Sequence, residues 1–157
     1  MGKTVIFVCY GNICRSPIAE GIFRQKLGTG GMAGDNVVLS SGISAGNGPA
    51  HHFSISASGD LGVDISRHKA KQFTKTMAKS SDFIFTMDEY VKDVILDDFP
   101  EVTGKVYTLK EFAYGKGARD LDVEDPYGRP FESFQECVEE ISETIEVLWD
   151  KIKIELE

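Results

Sequence analysis

The chain has 157 residues, 41% hydrophobic and 27% charged, with 25 Asp plus Glu against 17 Lys plus Arg and a formal net charge of −8. These are globular proportions, and at this length one core, burying roughly 70% of the unfolded surface, suffices without disulfide staples. The acidic excess argues against nucleic acid and anionic membranes as partners, and no apolar run approaches the roughly 20 residues of a membrane span.

In chain order, residues 4–9 (TVIFVC) form an apolar, β-branched and aromatic run that predicts a strand. Ser16 and Pro17 then open a helical stretch, IAEGIFRQKL, with Ser16 expected as its cap and Pro17 suited to its first turn. Residues 28–33 (GTGGMA) match the dinucleotide pattern G-x-G-x-x-A, but they follow a helix and precede a strand, so they read as a connector. A second strand is expected over 37–41, helices over 50–62 and 74–80, and a third strand over 82–87. Asp88 is a good N-cap for the helix EYVKDVILDDF, and a fourth short strand spans 105–109. Phe131, Phe134, Val138, Ile141, Ile145, Leu148, Ile152 and Leu156 recur every three or four residues and predict a long amphipathic closing helix. Strands alternating with helices imply a single α/β domain over 1–157, a parallel sheet with helices on both faces. Ligands of such sheets sit at the carboxyl ends of the strands.

Three cysteines and three histidines make neither a disulfide framework nor a zinc spacing, so no metal or cofactor is expected. The N-terminus enters a strand directly with no secretory pattern, and a cytoplasmic location is expected. Cysteine here reads as reactive or buried, and Cys137, inside the last helix, reads as a small core residue.

The informative segment is Cys9-Tyr10-Gly11-Asn12-Ile13-Cys14-Arg15-Ser16, between the first strand and the first helix. Backbone N–H groups of a tight loop at a helix N-terminus point inward, and the helix dipole adds positive potential there. Gly11 and Asn12 tolerate the left-handed backbone that such a nest needs. Arg15 supplies a planar fork of donors for two oxygens of a phosphate. The nest favours the thiolate of Cys9, and a thiolate beneath a bound phosphorus centre is a nucleophile in position.

The string CYGNICRSP, with Asp125-Pro126-Tyr127 far downstream, closely resembles the low-molecular-weight protein tyrosine phosphatases over essentially the whole chain. The resemblance implies a three-layer sandwich with a four-stranded parallel sheet and a two-step, metal-free hydrolysis of phosphomonoesters. Cys9 would attack phosphorus to give a phosphocysteine, Arg15 would stabilise the transition state, and Asp125 would serve as acid and then as base. Asn12, Ser41 and His68 fall where the family has a buried network bracing the loop, and Ser16 where its hydroxyl hydrogen-bonds the thiolate. Cys14 falls where a family cysteine forms a reversible disulfide with the nucleophile.

Independently of the resemblance, Pro126 biases Asp125 to extended backbone, and Asp120, Asp122 and Glu124 crowd it with like charge that favours the protonated acid. Asp120 and Asp122 themselves read as a solvated acidic loop. Tyr10, Ile13 and Tyr127 are the candidates for the pocket rim, where flat apolar walls favour an aromatic ring. The resembling protein-arginine phosphatases carry threonine at the position of Ile13, so isoleucine points to phosphotyrosine, with inorganic phosphate as product. Gly128 stands where many members have a second tyrosine, and Ala45-Gly46-Asn47 where an aromatic wall residue is common, which implies an open rim. Three alternatives are a protein-arginine phosphatase, a thiol-linked arsenate reductase and a phosphate-binding module without catalysis. The second needs cysteines after the third strand, and residues 82–100 have none.

Overall fold

The unbroken apolar run of β1 (Thr4–Cys9) is buried on both faces, as a central parallel strand requires. In the computed structural model, which describes residues 2–157, Val5, Phe7 and Cys9 join one core, and Ile6 and Val8 join another. That split is the period-two alternation of a strand. β2 (Val37–Gly42), β3 (Phe83–Thr86) and β4 (Val106–Thr108) complete a four-stranded sheet in the order β2-β1-β3-β4, with every pairing parallel.

Helices cover both faces, giving a three-layer α/β sandwich. On the first face lie α1 (Arg15–Thr29), α5 (Leu109–Tyr114) and α6 (Phe131–Leu156), which contribute Ile18, Phe23, Leu109, Phe134, Ile141 and Ile145. On the second, α3 (Lys75–Ser80) and α4 (Glu89–Asp98) bury Ala78, Val91 and Ile95. A further helix, α2 (His52–Asp60), packs on α6. Among the described residues no helix is long and apolar enough to cross a membrane.

Three local differences from the sequence reading have physical causes. The helix expected over 50–62 starts only after His51, which caps it. The strand expected over 105–109 stops at Thr108 because its hydroxyl accepts the Glu111 N–H while the Glu111 carboxylate accepts the Thr108 N–H, a capping box that starts α5. Ser16 does not cap α1; the helix begins two residues earlier, after Cys14, and the Ser16 hydroxyl is engaged elsewhere.

Because all four strands run the same way, their carboxyl ends share one edge. Cys9 pairs with Gly42, and Val8 with Thr86, so the segments leaving β1, β2 and β3 emerge side by side.

Candidate active site

From Cys9 the chain turns tightly into α1. Asn12, at φ 58°, is the only non-glycine residue with positive φ among the described residues. Gly11, expected to share the left-handed backbone, does not adopt it; Asn12 takes that conformation alone. Its buried amide is held from three sides: Nδ2 donates to the hydroxyls of Ser16 (2.8 Å) and Ser40 (3.0 Å), and Oδ1 accepts the Lys71 N–H (2.9 Å). The Asn12 N–H donates to Cys9 Sγ at 3.2 Å, and the Ser16 hydroxyl lies 2.9 Å from the same sulfur.

The brace behind the loop uses Ser40 where the sequence reading placed Ser41. Successive residues of a strand face opposite sides, and it is the Ser40 hydroxyl that meets Asn12, while the Ser41 hydroxyl is buried without a partner. Ser41 takes part only through its carbonyl, 3.4 Å from the Ser16 hydroxyl. The Ser40 hydroxyl donates a hydrogen bond to Glu20 Oε1, which lies 3.9 Å from His68 Nδ1, and His68 Nε2 donates to the Asn12 carbonyl at 2.7 Å. Asn12 is thus bonded to Ser40 and to His68, with Glu20 bonded to Ser40 and lying beside the His68 ring. Burial lowers the His68 pKa against the pull of the Asn12 carbonyl and Glu20, so the neutral ring with its proton on Nε2 fits this geometry. Glu20 was hidden in sequence as one polar residue of a helix.

Arg15 is 3% exposed and gripped at one end. Its Nη1 donates to Asp88 Oδ2 (2.7 Å) and to the Val123 carbonyl (2.9 Å), while Nη2 lies 3.6 Å from Asp125 Oδ2 and Nε is buried without a partner. The Nε/Nη2 edge is the face that grips two oxygens of a tetrahedral anion. Burial works against the cation, but Cys9, the bond to Asp88, and Asp125 together raise its pKa. Asp88 had been legible only as a helix cap, a role it also fills through Oδ1 to the Val91 N–H.

Asp125 is 45% exposed, and its Oδ1 accepts the Tyr127 N–H at 3.1 Å, a local turn that aims the carboxyl. The neighbouring carboxylates are occupied: Asp122 accepts the Glu89 N–H, Asp120 lies 3.6 Å from Lys110 Nζ, and Glu124 pairs with Arg129 at 2.6 Å. Asp122 is exposed, as expected for a solvated acidic loop, and it also tethers the acid loop to the start of α4. Cys9, Arg15 and Asp125 line a single cavity of about 410 Å³, together with Tyr10, Gly11, Ile13, Cys14 and Tyr127.

Over residues 4–157 the sequence matches the family described as low molecular weight phosphotyrosine protein phosphatase. The chain belongs to this family. It is 35% identical over 154 residues to the probable low molecular weight protein-tyrosine-phosphatase EpsP of Ralstonia nicotianae, covering 98% of each chain. It is 32% identical over 151 residues to a protein-arginine-phosphatase of Bacillus subtilis, covering 95% of this chain and 96% of that one. The crystal structure of a low molecular weight protein tyrosine phosphatase from T. tengcongensis superposes with a TM-score of 0.86 at 38% identity, over 96% of this chain and 99% of that one.

As a low molecular weight phosphatase the chain is a protein tyrosine phosphatase, and its pocket mouth carries exposed tyrosines and a run of small residues. Tyr10 and Tyr127 are half or more exposed, Ile13 is half-buried, and the side expected to lack an aromatic wall is lined by Ser44, Gly46 and Gly48. Gly128 sits at φ 82°, a backbone that would strain a second tyrosine there. Cys14 lines the cavity beside Cys9, yet burial, with Asp125 and Cys9 nearby, pushes its thiol up to about 12. Burial raises the Cys137 thiol as well, in keeping with a core residue.

Proposed function

We propose that this phosphatase hydrolyses phosphotyrosine in proteins or peptides through a phosphocysteine. The Cys9 thiolate attacks phosphorus, the ester P–O bond breaks, and the departing phenolate oxygen takes the Asp125 proton. A phenolate of pKa about 10 is a poor leaving group, so that proton contributes roughly 10²–10⁴-fold. Asp125, now a carboxylate, takes a proton from water as the water oxygen attacks phosphorus. The S–P bond breaks, inorganic phosphate leaves, and the Ser16 hydroxyl supports the returning thiolate. Arg15 holds the equatorial oxygens throughout with its Nε/Nη2 edge.

The observation that carries this reading is that one cavity gathers a sulfur within hydrogen-bond distance of the Asn12 N–H and the Ser16 hydroxyl, a pinned guanidinium whose Nε is unpaired, and a carboxyl. Ile13, apolar and at the cavity wall, suits an aromatic ring better than a guanidinium. All three cysteines are free thiols, which suits a reducing compartment such as the cytoplasm.

The test assays p-nitrophenyl phosphate, a phosphotyrosine peptide and a phosphoarginine peptide with the native protein, Cys9→Ser and Asp125→Ala. Cys9→Ser is expected to lose turnover, and Asp125→Ala to lose roughly 10²-fold or more on phosphotyrosine. Turnover retained in Cys9→Ser would sink the covalent route, and a preference for phosphoarginine would overturn the substrate.

A further inference from the structure

An imidazole caps α2. Nδ1 of His51 accepts the Phe53 N–H at 3.0 Å, which places the ring proton on Nε2. The His51 N–H donates to the Ile13 carbonyl at 2.8 Å, and the Ser54 hydroxyl lies 3.4 Å from the Cys14 carbonyl. The start of α2 thereby holds two consecutive carbonyls of the loop that carries Cys9. On its other side the His51 ring stacks on Phe134 of α6 with centroids 4.7 Å apart and meets Tyr127 at a steep angle with centroids 5.9 Å apart. The Tyr127 N–H is the one bonded to Asp125. One residue therefore touches both the nucleophile loop and the acid loop, and the chemistry described above assigns it nothing.

We propose that His51 is a positioning residue that locks the acid loop against the phosphate loop, and that it works only as the neutral imidazole. A protonated ring carries N–H on both nitrogens, so it can no longer accept from Phe53. It also sets a positive charge at the positive end of the α2 dipole. The aromatic side chains packed on the ring are His52 (4.6 Å), Phe53, Phe134 and Tyr127. Among these only His52 can become a cation, and its charge opposes a second one beside it. Burial first and His52 second lower the His51 pKa, so the neutral form prevails near pH 7. Acidification through the range below about 6.5 then removes the cap and loosens Tyr127 and Asp125 together.

The inference rests on the reading of Asp125 as proton donor, and the experiment separates the two. Turnover of p-nitrophenyl phosphate, with its good leaving group, is compared with that of phenyl phosphate over pH 5–7.5 in the native enzyme, His51→Ala, His51→Asn, His51→Phe and Asp125→Ala. A misplaced acid penalises the poorer leaving group, so His51→Ala is expected to slow phenyl phosphate about tenfold more than p-nitrophenyl phosphate. Asparagine keeps a cap and phenylalanine keeps the ring contacts, so each recovers part of that selectivity. Both variants also lose one ionisation from the acid side of the native profile. Equal slowing of both substrates by His51→Ala, while Asp125→Ala discriminates between them, overturns the positioning role. Superposable pH profiles of the native enzyme and His51→Asn overturn the dependence on neutral imidazole. If Asp125→Ala does not discriminate either, the assignment of the acid has failed and this inference falls with it.

Discussion

Asp88 grips Arg15 with one carboxylate oxygen, Oδ2 to Nη1 at 2.7 Å across 73 residues of sequence, and caps α4 with the other. Asp88→Asn keeps an acceptor for the cap but loses the charge facing the guanidinium, whereas Asp88→Ala loses both. We expect kcat/KM to fall by about tenfold or more in each, since a pinned guanidinium is what presents its free edge. Only Asp88→Ala should show the additional loss of roughly 1 kcal/mol from the missing cap. Urea unfolding beside steady-state kinetics checks both, and equal stability of the two variants would remove the cap from the account.

Gly42, at the end of β2, lies against the phosphate loop with no room for a methyl group. A Cβ there would stand 2.7 Å from the Tyr10 carbonyl oxygen, 2.9 Å from the Asn12 nitrogen and 3.0 Å from the Gly11 carbonyl carbon, all backbone atoms. Gly42→Ala must therefore move the loop, at roughly 1–3 kcal/mol, and should lower kcat while the protein remains folded. Gly59→Ala, where a methyl meets nothing within 4 Å, is the matched control. Native kinetics in Gly42→Ala would show that the loop yields without consequence.

The His68 pKa is lowered mainly by burial, so the unfolded chain takes up this proton before the folded one does. As the pH falls through about 6.5 the unfolded state binds more protons and stability declines, levelling once the folded ring protonates too. The contribution is fully present above that range. A glutamine side chain can still donate to the Asn12 carbonyl without titrating, so His68→Gln should flatten the slope of unfolding free energy between pH 7.5 and 5.5. Unchanged slope in that variant would assign the acid sensitivity to other groups.

Oxidation of Cys9 to a sulfenic acid followed by attack of Cys14 gives a disulfide and releases hydroxide. With its thiol pushed up to about 12, Cys14 is almost wholly protonated at neutral pH, and the attack depends on the small thiolate fraction. Ring closure after a peroxide pulse should therefore accelerate steadily from pH 6 to 9. Peptide mass mapping of quenched samples follows it; absence of a Cys9–Cys14 linkage at every pH would rule the pair out as a redox couple.

What sequence could convey follows from the range of the forces involved. The strand, loop and helix around Cys9 and the stripe of α6 are set by local periodicity and turn chemistry, and both were legible. The partners of Arg15 were not, because Asp88 satisfies a local rule as a cap and nothing local marks the second oxygen. Ser40 and Ser41 are adjacent serines, and only the strand's alternation within the folded sheet decides which one faces Asn12. Glu20 and His51 each fell inside a stretch read as helix, where nothing local sets one polar residue apart. Their significance arises from contacts with distant segments.

Arg15 reaches the Val123 carbonyl across 108 residues, and the acid follows two positions later. In the proposed chemistry a ribosome therefore delivers the nucleophile early and its proton donor late, and a chain still being made carries Cys9 without that donor. Full activity then requires the docking of segments far apart in sequence, so recovery of phosphatase activity after dilution from denaturant should lag the return of secondary structure.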